Sequence, residues 1–185
     1  QDSRHNPAPQ VMEFIDTHSH LYDEAFAGDE DAAVARAVEA GVAKIIFPDI
    51  DSQSREAMFS FADRHPGVIF PCLGLHPTSV DSGWQEELSR MEAYMSRKIW
   101  AIGEIGMDCY WSKEFLKEQQ EVLRIQLEMA AKADLPVIIH SRESTDLIIN
   151  ILKLYKYANC LIYARLSILN NSKLIKSRFS FIRDA

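Results

Sequence analysis

Asp16-Thr17-His18-Ser19-His20 closes an apolar run at residues 11–15 and sets two imidazoles one residue apart. On an extended segment side chains alternate with period two, so both rings face the same side. Two neutral nitrogen donors side by side suit a borderline metal such as zinc. Three further motifs close apolar runs in the same way: Gly74-Leu75-His76-Pro77, Gly103-Glu104-Ile105-Gly106 and Ile138-Ile139-His140-Ser141-Arg142. Together these residue types point to metal-dependent hydrolysis.

Each motif carries its own alternatives. Glu104 lies between two glycines in a nearly apolar stretch, where a carboxylate is costly unless paired or metal-bound. It reads either as a surface glutamate in a turn or as a carboxylate bridging two cations, as two-metal phosphoesterases require. His140 follows four apolar residues and is either a metal ligand or a core histidine bonded to a carbonyl. His76, fixed by Pro77, is a substrate-contacting or proton-transferring imidazole, or a structural one. Arg142 either forks onto a phosphate or pairs with Glu143 or Asp146. Asp108 follows a turn expected at Gly106 and either orients a ligand or substrate, or caps a loop. Asp16 is a partner for a histidine or a further acid of the site. His65 has no assigned role.

The elements that must position these motifs alternate along the chain. Strands are expected at residues 14–18, 44–49, 68–75, 99–103 and 137–140, rich in Ile, Val and Phe and nearly continuous in apolarity. That pattern fits parallel strands covered on both faces. Helices are expected at 29–40, 52–64, 85–96, 113–133 and 145–157, with Gly41 stopping the first and Pro136 turning the chain out of the fourth. Five strand–helix units mean a parallel α/β architecture. The four motifs end the first, third, fourth and fifth strands at their carboxyl ends, the face on which a (β/α)8 TIM-type barrel assembles its active site. A doubly wound sheet is less natural, and no Gly-x-Gly-x-x-Gly follows any strand, so dinucleotide binding is not expected.

Composition bounds the reading. The 185 residues fit one domain, residues 12–185, able to bury roughly 70% of the unfolded surface. Residues 1–11 are polar, carry two prolines and read as a disordered extension or an appended remnant. A hydrophobic content of 47% with 25% charged residues describes a soluble globular chain. No apolar run approaches the ~20 residues of a membrane span, and no leader-like segment opens the chain. Cys72, Cys109 and Cys160 lack Cys-x-x-Cys spacing and read as buried free thiols, which implies a cytoplasmic setting. The net charge of −7 argues against nucleic-acid binding by bulk attraction, although bound divalent cations can invert the local field.

Phe14-Ile15-Asp16-Thr17-His18-Ser19-His20, Gly74-Leu75-His76-Pro77, Gly103-Glu104-Ile105-Gly106-Met107-Asp108 and Pro136-Val137-Ile138-Ile139-His140-Ser141-Arg142 together strongly resemble the TatD family of metal-dependent deoxyribonucleases. The match is collinear and covers about residues 12–150. The resemblance implies a β/α barrel of the amidohydrolase-like superfamily, two divalent metals (Zn, Mg or Mn) and phosphodiester hydrolysis on DNA. By position, it implies that His18 and His20 bind one metal, Glu104 bridges both and His140 binds the second. His76, Asp108 and Arg142 join Glu104 as candidate catalytic residues.

The pattern departs from the family after about residue 157. There the family continues into a sixth strand ending in a His-Cys-Phe-Ser-Gly-like motif and later supplies an aspartate ligand. Here the segment reads Asn159-Cys160-Leu161-Ile162-Tyr163-Ala164-Arg165-Leu166-Ser167, with no histidine after His140. Charge reverses too: residues 1–146 hold 13 Lys and Arg against 26 acids, whereas residues 147–185 hold 7 against one. A reading-frame change, a fragment end or a divergent short homologue would each produce this. The expected consequences are an incomplete second metal site, impaired activity and association through open sheet edges. The rival functions are a non-catalytic metal-binding remnant and an amidohydrolase acting on C–N bonds. The second is disfavoured because Glu104 stands where many such enzymes carry a modified lysine.

Overall fold

The computed structural model of the chain describes residues 13–154 and 160–164. The proposed disordered extension at residues 1–11 lies outside them. The described strands are β1 (Phe14–Asp16), β2 (Val42–Phe47), β3 (Ile69–Pro71), β4 (Ile102–Asp108), β5 (Val137–Arg142) and β6 (Cys160–Ala164). The helices are α1 (Glu30–Glu39), α2 (Ser52–Arg64), α3 (Trp84–Glu92), α4 (Leu116–Ala133) and α5 (Thr145–Leu152). Every strand pairing is parallel. β1-β2-β3 form one sheet and β4-β5-β6 another, and a parallel bridge from Leu73 to Ile102 joins them. Parallel neighbours need a crossover, and the helices between successive strands supply it. Strands added in chain order with a helix between successive ones are successive units of a β/α barrel.

Local chemistry explains the helix boundaries. Asp51 starts α2 by accepting from the Gln53 amide at 3.0 Å, satisfying a donor that the helix cannot. α2 turns Met58, Phe59, Phe61 and Ala62 into the core. α4 ends on Asp134 in the left-handed region, with φ of 53°. It packs against β4 and buries Val122, Leu123, Leu127 and Ala130.

Three expectations need correction. The fourth strand runs over Ile102–Asp108, not 99–103, and all seven residues are buried. Gly103 and Gly106 therefore do not punctuate a turn. They lie inside the strand because a side chain there has no room. A Cβ on Gly103 would meet Ile138 Cβ at 2.6 Å, and one on Gly106 would meet the His140 carbonyl oxygen at 2.0 Å. Second, β1 is exposed along its length, with Phe14 50% and Ile15 42% accessible, although its apolarity suggested burial on both faces. It pairs only with β2, and among the described residues no element covers its other edge. Third, a sixth strand extends the five expected units. β6 pairs in register with β5 from Val137↔Cys160 to Ser141↔Ala164, so the outer edge of β5 is covered. The edges left unpaired among the described strands are those of β1 and β6.

Candidate metal centre

The segment after β1 stays alongside β2, with the Ser19 amide donating to the Ile46 carbonyl at 3.0 Å. This extended run puts His18 and His20 on one side, as period-two alternation requires. Their Nε2 atoms meet at 3.0 Å, and His18 Nε2 lies 3.2 Å from Glu104 Oε2. From β5, His140 Nδ1 lies 3.2 Å from Glu104 Oε1. From the loop after β3, His76 Nε2 lies 3.2 Å from His140 Nδ1 and 3.8 Å from Glu104 Oε2. Glu104 is 3% exposed and central, one oxygen toward the His18–His20 pair and the other toward His140. Two sets of ligating atoms each lie within 4.8 Å: His18, His20 and Glu104, and His76, Glu104 and His140. The surface-turn reading of Glu104 is excluded.

Hydrogen-bond partners decide which nitrogens can ligate. Tyr22 has one hydroxyl proton and donates it to the Pro48 carbonyl. Its contact with His20 Nδ1 at 2.7 Å is then donated by the ring, which leaves the Nε2 lone pair facing the site. On His140, Nε2 donates to Asp108 Oδ2 at 2.9 Å, so in the neutral ring Nδ1 carries the inward lone pair. His76 is the reverse. Its Nδ1 accepts from the Thr78 amide at 3.2 Å and sits 2.6 Å from Thr78 Oγ1, so the neutral ring carries its proton on Nε2. His76 therefore presents a donor to the centre, whereas His20 and His140 present acceptors.

Electrostatics agree with that division for His20 and His76, whereas His140 is drawn toward its doubly protonated form. Burial would raise Glu104, but the His140 and His18 hydrogen bonds and the neighbouring His76 outweigh it and hold the carboxyl below its ordinary range. Burial pulls His76 down to about 4, and burial with the neighbouring His18 lowers His20, so both rings are neutral near pH 7. Burial alone would lower His140, yet Glu104 and Asp108 raise it, which favours a proton on Nδ1 as well as on Nε2. A metal would have to displace the Nδ1 proton to take that nitrogen. An ionised carboxylate facing acceptor nitrogens calls for a positive ion between them. The donor set, imidazole with carboxylate, fits a divalent metal such as zinc.

Asp108 is not a loop after a turn but the last residue of β4, and it works in two directions. Oδ2 holds His140, while Oδ1 accepts the Tyr110 and Trp111 amides at 2.9 and 3.3 Å. Asp16 Oδ1 accepts the main-chain amide of His18 at 3.1 Å. Arg142 pairs with neither Glu143 nor Asp146. Its guanidinium carbon lies 3.6 Å over the Tyr110 ring and 5.0 Å over Trp111.

Several supporting residues escaped the sequence reading. Tyr22, two residues beyond His20, was signalled only by the same period-two spacing. Buried Asp49 accepts from Arg55 Nε at 2.6 Å and from the Gly74 amide at 3.1 Å, while its main chain pairs with Gly103 and Glu104. Gln126 on α4 closes both the amide and the carbonyl of Leu75, at 2.7 and 3.2 Å, and Gln119 holds the Asp108 amide at 2.9 Å. Two glutamines seven residues apart share a helix face, the one available signal.

Comparison with known proteins accords with this geometry. Residues 15–167 match the family model described as TatD related DNase. The chain is 36% identical over 139 residues to the metal-dependent hydrolase YjjV of Escherichia coli strain K12, covering 74% of this chain and 53% of that protein. It is 31% identical over 158 residues to the human deoxyribonuclease TATDN3, covering 75% and 56%. It is 31% identical over 134 residues to the 3'-5' ssDNA/RNA exonuclease TatD of a Pantoea strain, covering 71% and 51%. The crystal structure of Escherichia coli YjjV superposes with a TM-score of 0.67 at 34% identity, over 78% of this chain and 57% of that one. The chain thus spans about half the length of these relatives. With the family model covering most of its length, the chain belongs to the TatD-related DNase family.

Proposed function

We propose that this chain is a divalent-metal-dependent phosphodiesterase that cuts DNA, with His18, His20 and Glu104 holding one metal and Glu104 and His140 a second. The observation that carries the reading is the convergence of His20 Nε2, His140 Nδ1 and both Glu104 oxygens as acceptors facing one centre. When bound, divalent ions polarise a phosphoryl oxygen and bring water into its nucleophilic range at neutral pH. The chain's own residues do the rest. Glu104 ties the two ligand sets into one unit. Tyr22 and Asp108 turn His20 and His140 so that the correct nitrogen faces inward. His76 directs its Nε2–H toward the same centre, where it can donate a hydrogen bond to a phosphoryl oxygen. The cytoplasmic setting is supported by the free, buried Cys72 and Cys109.

A labelled single-stranded oligodeoxynucleotide with Mg, Mn or Zn tests the reading. Slow metal-dependent cleavage is expected, lost with chelator and in Glu104→Gln. Absence of both metal binding and cleavage overturns it.

A second reading, a metal-binding domain without catalysis, rests on a specific observation. With His76 presenting a proton, the second set keeps only two acceptor residues among the described ones. Metal binding without cleavage would select it.

A further inference from the structure

Trp111 is 71% exposed and Tyr110 50%, although both belong to a segment whose main chain is firmly held. Both amides are bound by Asp108 Oδ1, and the preceding Cys109 amide donates to the Arg142 carbonyl at 2.9 Å. The rings meet edge to face, with centroids 4.9 Å apart and planes at 83°. Arg142 lies against both, 3.6 Å over Tyr110 and 5.0 Å over Trp111. An indole held out to water on a pinned backbone, with a guanidinium beside it, is a flat, cationic stacking surface.

Its place in the fold ties it to the metal centre. Arg142 is two residues beyond His140 on β5, so the two side chains leave the same face of the strand about 6.6 Å apart along it. Asp108 and Arg142 are register partners at the ends of β4 and β5. The carboxylate that holds His140 by one oxygen holds the Tyr110–Trp111 backbone by the other. Whatever stacks on Trp111 is therefore positioned relative to His140 by a single rigid group.

We infer that Tyr110, Trp111 and Arg142 form a base-stacking platform that seats an unpaired nucleobase of single-stranded DNA next to the metal centre. The inference rests on the nuclease reading and adds how the strand is held. A duplex keeps its bases stacked on one another, so only an unpaired base offers a free face. Stacking is also needed here for an electrostatic reason. With a net charge of −7 the chain has no bulk field to gather polyanions, so local contacts must supply affinity. Arg142 supplies positive charge at that point, and Tyr110 holds its plane.

The test measures fluorescence anisotropy of labelled dT10 and of a ten-residue abasic deoxyribose-phosphate strand, with chelator present so that nothing is cut. Wild type should bind dT10 about tenfold more tightly than the abasic strand, as one stacked base supplies. Trp111→Ala should collapse that preference, and Trp111→Phe should retain most of it. Quenching of tryptophan emission by dT10, lost in Trp111→Phe, gives an independent readout, and thermal melts verify that the variants fold. Equal binding of both strands by wild type, or a preference that survives Trp111→Ala, overturns the platform and leaves the nuclease reading standing. If neither strand binds, the platform fails, and the metal-dependent cleavage assay decides the nuclease reading separately.

Discussion

Tyr22→Phe removes one oxygen atom and should weaken metal binding without touching a ligand. In the folded chain Tyr22 is 8% exposed, and its hydroxyl donates to the Pro48 carbonyl while accepting from His20 Nδ1. Burial, with Asp49 and Glu104 nearby, pushes its pKa upward, so it keeps that proton at every working pH. Phenylalanine fills the same space but leaves the carbonyl and the Nδ1–H without their partner. Each such buried group costs about 1–3 kcal/mol, and ordered water recovers part of it, so a stability loss of about 2 kcal/mol is expected. In a chain of this size that lowers Tm by about 4–8 °C. The larger effect concerns the tautomer. Without the hydroxyl, His20 is free to carry its proton on Nε2, where it blocks a cation. Losing such an orienting partner typically costs 10–100-fold in metal affinity, or about 1.4–2.7 kcal/mol. Zinc titration by calorimetry at neutral pH measures the affinity, and long-range 15N–1H NMR of the histidine rings reads the tautomer directly. Zinc affinity within twofold of wild type, or a wild-type His20 protonated on Nε2, would refute the reasoning.

Metal titration of the wild-type chain should show two unequal steps, the tighter at His18, His20 and Glu104, and two equally tight sites would contradict the His76 tautomer. Saturation at about a hundred times the Kd should stabilise the fold by about 2.7 kcal/mol, visible as a chelator-reversible rise in Tm that Glu104→Gln abolishes. Asp108→Asn should weaken the second step by about 10–100-fold and spare the first, because only His140 loses its carboxylate partner; calorimetry separates the two. Gly106→Ala places a Cβ 2.0 Å from the His140 carbonyl at a φ of 145° and should cost more than about 4 kcal/mol. Urea denaturation, or failure to obtain folded protein, measures that loss, and wild-type stability would show that β4 and β5 are not packed as described.

Residue order alone was enough for the alternation of strands and helices, the bounds of α2 at 52–64, and the convergence of His18, His20, Glu104 and His140. Period-two alternation places the two histidines together, whereas Glu104 and His140 reach the same centre from inside β4 and β5 rather than from the carboxyl ends that the apolar runs suggested. Tertiary structure decided what depends on atoms far apart in the chain. Gly103 and Gly106 look like turn punctuation until Ile138 and the His140 carbonyl occupy the space above them. Arg142 had carboxylates within four residues, yet it stacks on Tyr110 and Trp111, which arrive from the segment after β4 more than thirty positions earlier. The exposure of β1 depends on what lies beyond its edge, and no local pattern carries that. The division of labour among the histidines was equally hidden. An imidazole has the same formula whether it ligates or donates, and only the Tyr22 hydroxyl, the Asp108 carboxylate and the Thr78 amide, brought in by the fold, determine which nitrogen keeps the proton.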